Sequence, residues 1–153
     1  MLNNKIFNII SILALFFMGC EKEATSNMEP VNEITGRSSW KIIQQQILDK
    51  SCAGCHSIGT SFGSQSGLIL TDDVAYENLI NKEPHNQGAK DDGLELVGAE
   101  GLASLYKSYF WEKINAPDKD HFYADHPQYG EIMPLGMDYL SNGQLEFIRQ
   151  WIV

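Results

Sequence analysis

Two thiols and an imidazole lie close together in this chain, in the pattern Cys52-x-x-Cys55-His56. Each of two thiols at this spacing can form a thioether with one vinyl group of a single haem, and the histidine that follows can ligate the iron from one face. The pattern therefore indicates one covalently attached haem c per chain, with Cys52 and Cys55 as the attachment sites and His56 as the proximal iron ligand.

Closely spaced cysteines also occur in two other kinds of site, dithiol redox motifs and zinc sites. A dithiol redox motif is expected beside a βαβ pattern, but this stretch follows a predicted helix in a chain without clear strand signals. A zinc site would need Cys52, Cys55, His56 and one further histidine from a loop, and the adjacency of Cys55 and His56 makes that geometry awkward. Haem attachment is the favoured interpretation.

A thioether is another ligand that the sequence offers to the iron. Met133 precedes Pro134, whose ring restricts the backbone of the loop that would present the sulfur. Met137 is the alternative, and either methionine could instead fill a gap in the core. Three loop histidines are further candidates for the distal position: His85, His121 and His126. The residues alone leave this choice open.

The first residues have the layout of a secretory signal. Lys5 gives a short, positively charged start, residues 9–18 form an apolar run, and Gly19-Cys20 follows where cleavage is expected. The run is shorter than the roughly 20 apolar residues that a membrane span needs. We expect residues 1–19 to be a lipoprotein signal peptide and Cys20 to be acylated. An ordinary signal peptide that happens to contain a cysteine is the alternative.

Each of the three cysteines then has a role, Cys20 in lipid attachment and the other two in haem attachment. No structural disulfide is expected, because the remaining pair is only three residues apart. Export and covalent haem attachment favour the same compartment. The predicted location is periplasmic or at the cell surface, with the protein anchored by lipid to a bacterial membrane.

The chain is acidic, with 20 Asp and Glu against 11 Lys and Arg and a formal net charge of −9. This balance excludes nucleic acid as an expected partner and favours redox proteins that carry a basic docking patch. Residues 20–38 are polar without apolar periodicity, which predicts a flexible tether. Residues 39–153 are predicted to form one folded domain.

Apolar periodicity predicts a helix that leads directly into the cysteine motif. Over residues 39–50, Trp40, Ile43 and Ile47 recur at helical spacing, and Gln44 is predicted to face outward. An amphipathic helix of this length must bury its apolar stripe against another element. The chain therefore needs a second helix to cover it.

The last residues supply that second helix. Residues 144–152 carry an apolar stripe, and Ser141 and Gln144 have the spacing of a capping box. We expect the two helices to cross, with Trp40, Ile43 or Ile47 touching Phe147, Ile148 or Trp151.

The sequence between these helices is less regular. Residues 71–80 and 102–114 are predicted to be helical from their caps and apolar spacing. Residues 57–67, 81–101 and 115–140 are rich in Gly, Pro and polar residues and are predicted to be loops. The candidate distal iron ligands, which are the three histidines and the two methionines, lie in the last two of these predicted loops.

These features together resemble a class I c-type cytochrome: a helix, Cys-x-x-Cys-His, a variable middle, Met-Pro, and a terminal helix ending in Trp-Ile. Residues 66–70, 75–79 and 104–107 further resemble the Gly-Leu-x-Leu, Tyr-x-x-Leu and Ser-Leu-Tyr segments of the planctomycete-type cytochrome c domain. The resemblance covers residues 39–152. It implies an all-α class I cytochrome c fold, with N- and C-terminal helices packed around the haem, and Met133 as the distal iron ligand.

An iron whose two axial positions are filled by protein has no open site for substrate. The expected function is therefore electron transfer by a membrane-tethered carrier, not an enzyme. The alternatives are a haem enzyme or gas sensor with an open or weakly held sixth position, and a docking subunit of a larger redox complex. The only arginines are Arg37, in the tether, and Arg149, on the last helix, which disfavours a distal catalytic Arg-His pair.

Overall fold

The computed structural model describes residues 38–153. The predicted signal peptide, Cys20 and all but the last residue of the predicted tether lie outside the described residues. Within residues 38–153 the protein is all-α, and extended structure is limited to two isolated bridges. The predicted all-α class is confirmed at this level. None of the helices in this part of the chain has the length and apolar content to cross a membrane.

Eight helices and two 3₁₀ turns follow one another along residues 38–153. The first helix, α1, consists of Ser39–Ile43, the π-helical turn Gln44–Leu48 and Asp49–Ser51. The elements that follow are α2 (Ser61–Ser66), α3 (Ala75–Leu79), α4 (Gln87–Asp91), α5 (Leu102–Tyr106), α6 (Tyr109–Ile114), the 3₁₀ turn Ala116–Asp118, α7 (Lys119–Asp125), the 3₁₀ turn Pro127–Tyr129 and α8 (Asn142–Ile152). The two longest, α1 and α8, lie at the two ends of the described chain.

Helix α1 carries the chain to the cysteine motif. The Ser38 hydroxyl caps its N-terminus by accepting a hydrogen bond from the Lys41 amide at 3.3 Å. The helix ends at Cys52, and the chain then turns tightly, with the His56 amide donating to the Cys52 carbonyl at 2.9 Å. The helix predicted over residues 39–50 is confirmed, and its C-terminal end positions the motif.

Helix α8 begins with the predicted capping box. The Ser141 hydroxyl accepts a hydrogen bond from the Gln144 amide at 3.3 Å, and Gln144 Oε1 accepts one from the Ser141 amide at 2.9 Å. Leu145, Ile148 and Ile152 are buried, so the apolar stripe of the helix faces the core. The helix predicted at this end of the chain is confirmed.

The two terminal helices pack against each other, as their stripes predicted. The ring centroids of Trp40 and Trp151 are 5.1 Å apart, with 36° between the ring planes. Ile43 and Ile148 are fully buried in the same hydrophobic core. Because helices of this length are marginal in water on their own, the contact stabilises both.

The middle helices differ from their predicted lengths. The helix expected over residues 71–80 spans only Ala75–Leu79. The helix expected over residues 102–114 is two helices, α5 and α6, because Ser108 interrupts it. The Ser108 hydroxyl accepts a hydrogen bond from the Trp111 amide at 3.0 Å and so caps α6.

The segments predicted to be loops contain short helices, so those predictions were wrong in part. Helices α2, α4 and α7 lie within residues 57–67, 81–101 and 115–140. The Thr60 side chain caps α2 and the Asn86 side chain caps α4. Helices of one or two turns carry too few apolar residues to show a period, and their caps alone did not reveal them.

A small cluster of buried side chains lies apart from the main core. It comprises Ala89, Ala116, Phe122, Tyr129 and Ile132. Because Ile132 directly precedes Met133, this cluster anchors the segment that enters the candidate ligand loop.

Candidate haem site

A single cavity brings the predicted site residues together. Cys52, Cys55 and His56, from the turn after α1, line it together with Met133, from the loop before α8, and Met137 lines it as well. The space between these side chains, counted together with solvent at the open side of the cavity, is about 900 Å³. Cofactor sites are concave and mostly apolar with a few convergent polar groups, and this cavity has that composition.

Apolar side chains make up most of the cavity wall. Leu70, Phe110 and Ile114 are buried in it, with exposed fractions of 2%, 5% and 3%. Phe62 and Leu135 lie at its more exposed side. A wall of this kind suits the apolar faces of a porphyrin and keeps water away from a bound iron. The donor set and the wall therefore both fit a haem.

The two cysteines are free thiols in different surroundings. Cys52 is partly buried and Cys55 is exposed. Burial, with a smaller contribution from the neighbouring Cys55, raises the pKa of the Cys52 thiol to about 12. A dithiol redox motif needs a thiol whose pKa is lowered, and Cys52 is not such a thiol.

The three loop histidines, His85, His121 and His126, do not line the cavity with the cysteine motif. His121 lies 2.9 Å from the Asp118 carboxylate and is mostly exposed, and His126 stacks on Tyr129 with ring centroids 4.4 Å apart. The His85 ring lies so close to Gly67 that a Cβ at that position would overlap it. Within residues 38–153 no three His, Cys, Asp or Glu side chains are grouped to hold a metal ion, so the zinc interpretation lacks its ligands.

The His56 imidazole is oriented through its Nδ1 atom. Nδ1 lies 3.3 Å from the Leu68 carbonyl oxygen and 3.2 Å from the Ser66 hydroxyl. Because a carbonyl can only accept, this contact assigns the proton to Nδ1 and leaves the lone pair on Nε2 for a metal. Burial lowers the pKa of His56, which favours the neutral imidazole that ligates iron.

Residues 68–70, which we call the strap, hold His56 in two places. The Leu68 carbonyl contacts the ring, and the Leu70 amide donates to the His56 backbone carbonyl at 2.8 Å. Leu68 and Leu70 also line the cavity. The strap therefore sets both the backbone and the ring of the candidate ligand.

Two side chains from neighbouring helices fix the strap. Asn78 Nδ2 of α3 donates to the Ile69 carbonyl at 3.1 Å. Gln44 Nε2 of α1 donates to the Leu70 carbonyl at 3.0 Å and to Asp49 Oδ1 at 2.7 Å. The strap is thus held by helices on either side of it in the sequence.

Gln44 was predicted to face outward, and this prediction was wrong. The side chain is fully buried, and its Oε1 atom has no hydrogen-bond partner in the described part of the chain. Gln44 lies one turn before Leu48, which is also fully buried, so the buried face of α1 is wider than the stripe of Trp40, Ile43 and Ile47. The segment Gln44–Leu48 of this helix forms a π-helical turn.

The two candidate methionines differ in how firmly the chain holds them. The Met133 amide donates to the Lys113 carbonyl at 2.7 Å, its side chain packs against the main core, and Pro134 beside it is buried. Met137 is 52% exposed. Met133 is therefore presented from an anchored backbone, and Met137 from the exposed side of the cavity.

Two polar side chains of α6 also line the cavity, and sequence reasoning selected neither. Burial lowers the pKa of Lys113 to about 8, with the Glu131 carboxylate opposing the shift, and burial raises the pKa of Tyr109 to about 12. Both side chains donate to the Tyr129 carbonyl, at 3.0 Å from Lys113 and 2.8 Å from Tyr109. The sequence feature that could have identified them is their four-residue spacing, which places both side chains on one face of a helix.

Comparison with known proteins leaves the chain without a family. No family model matches it, and no solved structure matches it. Topless-related protein 3 of Arabidopsis thaliana is 26% identical over 103 residues. That match takes in 65% of this chain but only 9% of the length of the Arabidopsis protein. A match of this extent assigns no function to the chain.

Replacing Gln44 with alanine should loosen the strap. The Leu70 carbonyl would lose its donor, and a buried acceptor left without a partner costs about 1–3 kcal/mol. Denaturant unfolding of Gln44→Ala should show a loss of free energy in this range. The Leu70 amide, which donates to His56, should also exchange its hydrogen faster by NMR.

Gln46→Ala is the matched control, because Gln46 is exposed on the same helix. Its free energy of unfolding should change by less than about 0.5 kcal/mol. Equal stability and equal Leu70 amide exchange in the two variants would mean that Gln44 does not hold the strap.

Proposed function

We propose that residues 39–153 form a monohaem c-type cytochrome domain of the class I type, and that the protein carries electrons between redox partners. The observation that supports this most is the shared cavity of Cys52, Cys55, His56 and Met133. These residues come from opposite ends of the domain sequence. Their shared lining is what a haem with two covalent links and two axial ligands requires.

Four residues would hold a haem c, two through covalent links and two through the iron. Cys52 and Cys55 would form its thioether links, and His56 Nε2 and the Met133 sulfur would be its axial ligands. When bound, the haem supplies one-electron exchange between ferric and ferrous iron. The chain's own contribution is to orient the imidazole through the strap, to anchor the methionine loop on α6, and to exclude water with the apolar wall.

Electron transfer is favoured over catalysis because two axial protein ligands would leave no open coordination site. Soft thioether ligation also stabilises ferrous iron and raises the reduction potential, which suits a carrier. The competing functions, a haem enzyme or a gas sensor, need a vacant or weakly held sixth position. Replacement of Met133 distinguishes these functions from electron transfer.

Met133→Ala should remove the distal ligand from the haem-loaded protein. A ferric haem ligated by methionine has a weak sulfur-to-iron absorption in the far red, and this band should disappear. The reduction potential should fall, because the thioether's preference for ferrous iron is lost. Absorption spectroscopy and a potentiometric titration measure the two effects.

Met137→Ala is the control, since Met137 lines the same cavity from a more exposed position. It should retain the band and nearly the wild-type potential. Loss of the band in Met137→Ala alone would move the ligand assignment to Met137 and leave electron transfer in place. A wild-type protein without the band that binds carbon monoxide readily would favour the sensor or enzyme function.

We further propose that the protein is exported and anchored by lipid to a bacterial membrane through Cys20. The support is the apolar run of residues 9–18, followed by Gly19-Cys20 and a polar tether. The net charge of −9 favours redox partners with a basic docking patch. Such an anchor would keep the haem domain close to membrane-bound partners.

Cys20→Ser should release the domain from the membrane, because stable anchoring by lipid needs acyl chains that serine would not receive. Fractionation of cells should then find the variant in the soluble exported fraction and the wild type with the membranes. Unchanged membrane retention together with an unmodified Cys20 in the wild type would contradict lipid anchoring.

A further inference from the structure

One basic side chain, that of Lys113, is among the described residues that line the cavity. The other lining side chains in this part of the chain are apolar, neutral or thiol-bearing. The Lys113 side chain is half-buried, with Nζ at 5.7 Å from the Tyr109 ring centroid and 5.5 Å from that of Phe122. The aromatic faces favour a cation there, but they do not neutralise it.

The hydrogen bonds of this ammonium group are incomplete within the described residues. An ammonium has three donors, and here the Tyr129 carbonyl, at 3.0 Å, is the acceptor it reaches. None of the ion pairs in residues 38–153 includes Lys113, so no carboxylate oxygen lies within 4.0 Å of its Nζ. The Glu131 carboxylate interacts electrostatically with Lys113 from beyond this distance and makes no ion pair with it.

The position of Lys113 is fixed independently of any ligand. Its backbone carbonyl accepts the Met133 amide at 2.7 Å, and Tyr109, one turn earlier on α6, donates to the same Tyr129 carbonyl as the lysine does. The ammonium is therefore held at the cavity wall by helix geometry and aromatic packing. A group placed in this way is ready to receive an anion.

We propose that Lys113 binds a carboxylate carried by the cofactor, namely one propionate of the porphyrin. This inference rests on the proposed function. A haem has two carboxylates, and placing one in an apolar cavity is costly unless it is paired and hydrogen-bonded. Lys113 supplies the missing charge, and the propionate supplies the acceptor that the ammonium lacks. Each group thus offsets part of the other's desolvation cost.

The test compares variants of the haem-loaded protein by resonance Raman spectroscopy of the propionate bending mode. Lys113→Met keeps most of the apolar stem and removes the charge, so the mode should shift to that of a propionate without a hydrogen-bonded cation. Lys113→Arg keeps a cation and should retain most of the wild-type signal. Lys82→Met removes an exposed lysine that is absent from the cavity lining, and it should leave the mode unchanged.

A second variant keeps the inference testable if Lys113→Met does not load haem. Lys113→Gln retains hydrogen-bond donors without the charge, and it should shift the mode in the same direction by a smaller amount. A propionate mode that is the same in wild type, Lys113→Met and Lys113→Gln would overturn the inference while leaving a His/Met haem intact. A wild-type protein without haem would instead overturn the proposed function.

Discussion

The contact between α1 and α8 is the interaction on which the candidate site depends. One helix ends where the cysteine motif begins, and the other begins a few residues after the methionine loop. When Trp40 packs on Trp151 and Ile43 and Ile148 share one core, the two ends of the domain are drawn together. Neither helix would persist alone. The same packing that stabilises them therefore helps to position the cysteine motif and the methionine loop, whose residues line the cavity.

The backbone carbonyls of the strap, residues 68–70, are all held by side chains. Every carbonyl of the strap contacts a side chain, with Leu68 against His56, Ile69 bonded to Asn78 and Leu70 bonded to Gln44. In a medium of low polarity such hydrogen bonds are strong, and leaving one unmade is costly. The imidazole is consequently held in one orientation by the chain itself, and little ordering would remain to be done on binding of the proposed cofactor.

The parts of this structure that were predictable from sequence are those with a local physical signature. The capping box at Ser141, the helical stripes and the tight cysteine motif each depend on neighbours within a few positions. Gln44 and Lys113 were not selected, although helical spacing places Gln44 one turn before the buried Leu48 and Lys113 one turn after Tyr109. Spacing shows which residues share a face of a helix, but it does not show that the face of Gln44 is buried or that the face of Lys113 lines a cavity. Both depend on tertiary packing.

The proposed function depends on one haem held covalently by Cys52 and Cys55 in this cavity. Its attachment can be measured as the intact mass of the denatured protein, produced in cells that attach haem to exported proteins, followed by peptide mapping. We expect the polypeptide mass plus one haem, with the added mass on the peptide that contains both cysteines. A bare polypeptide with two free thiols, or a native protein that holds stoichiometric zinc, would contradict it.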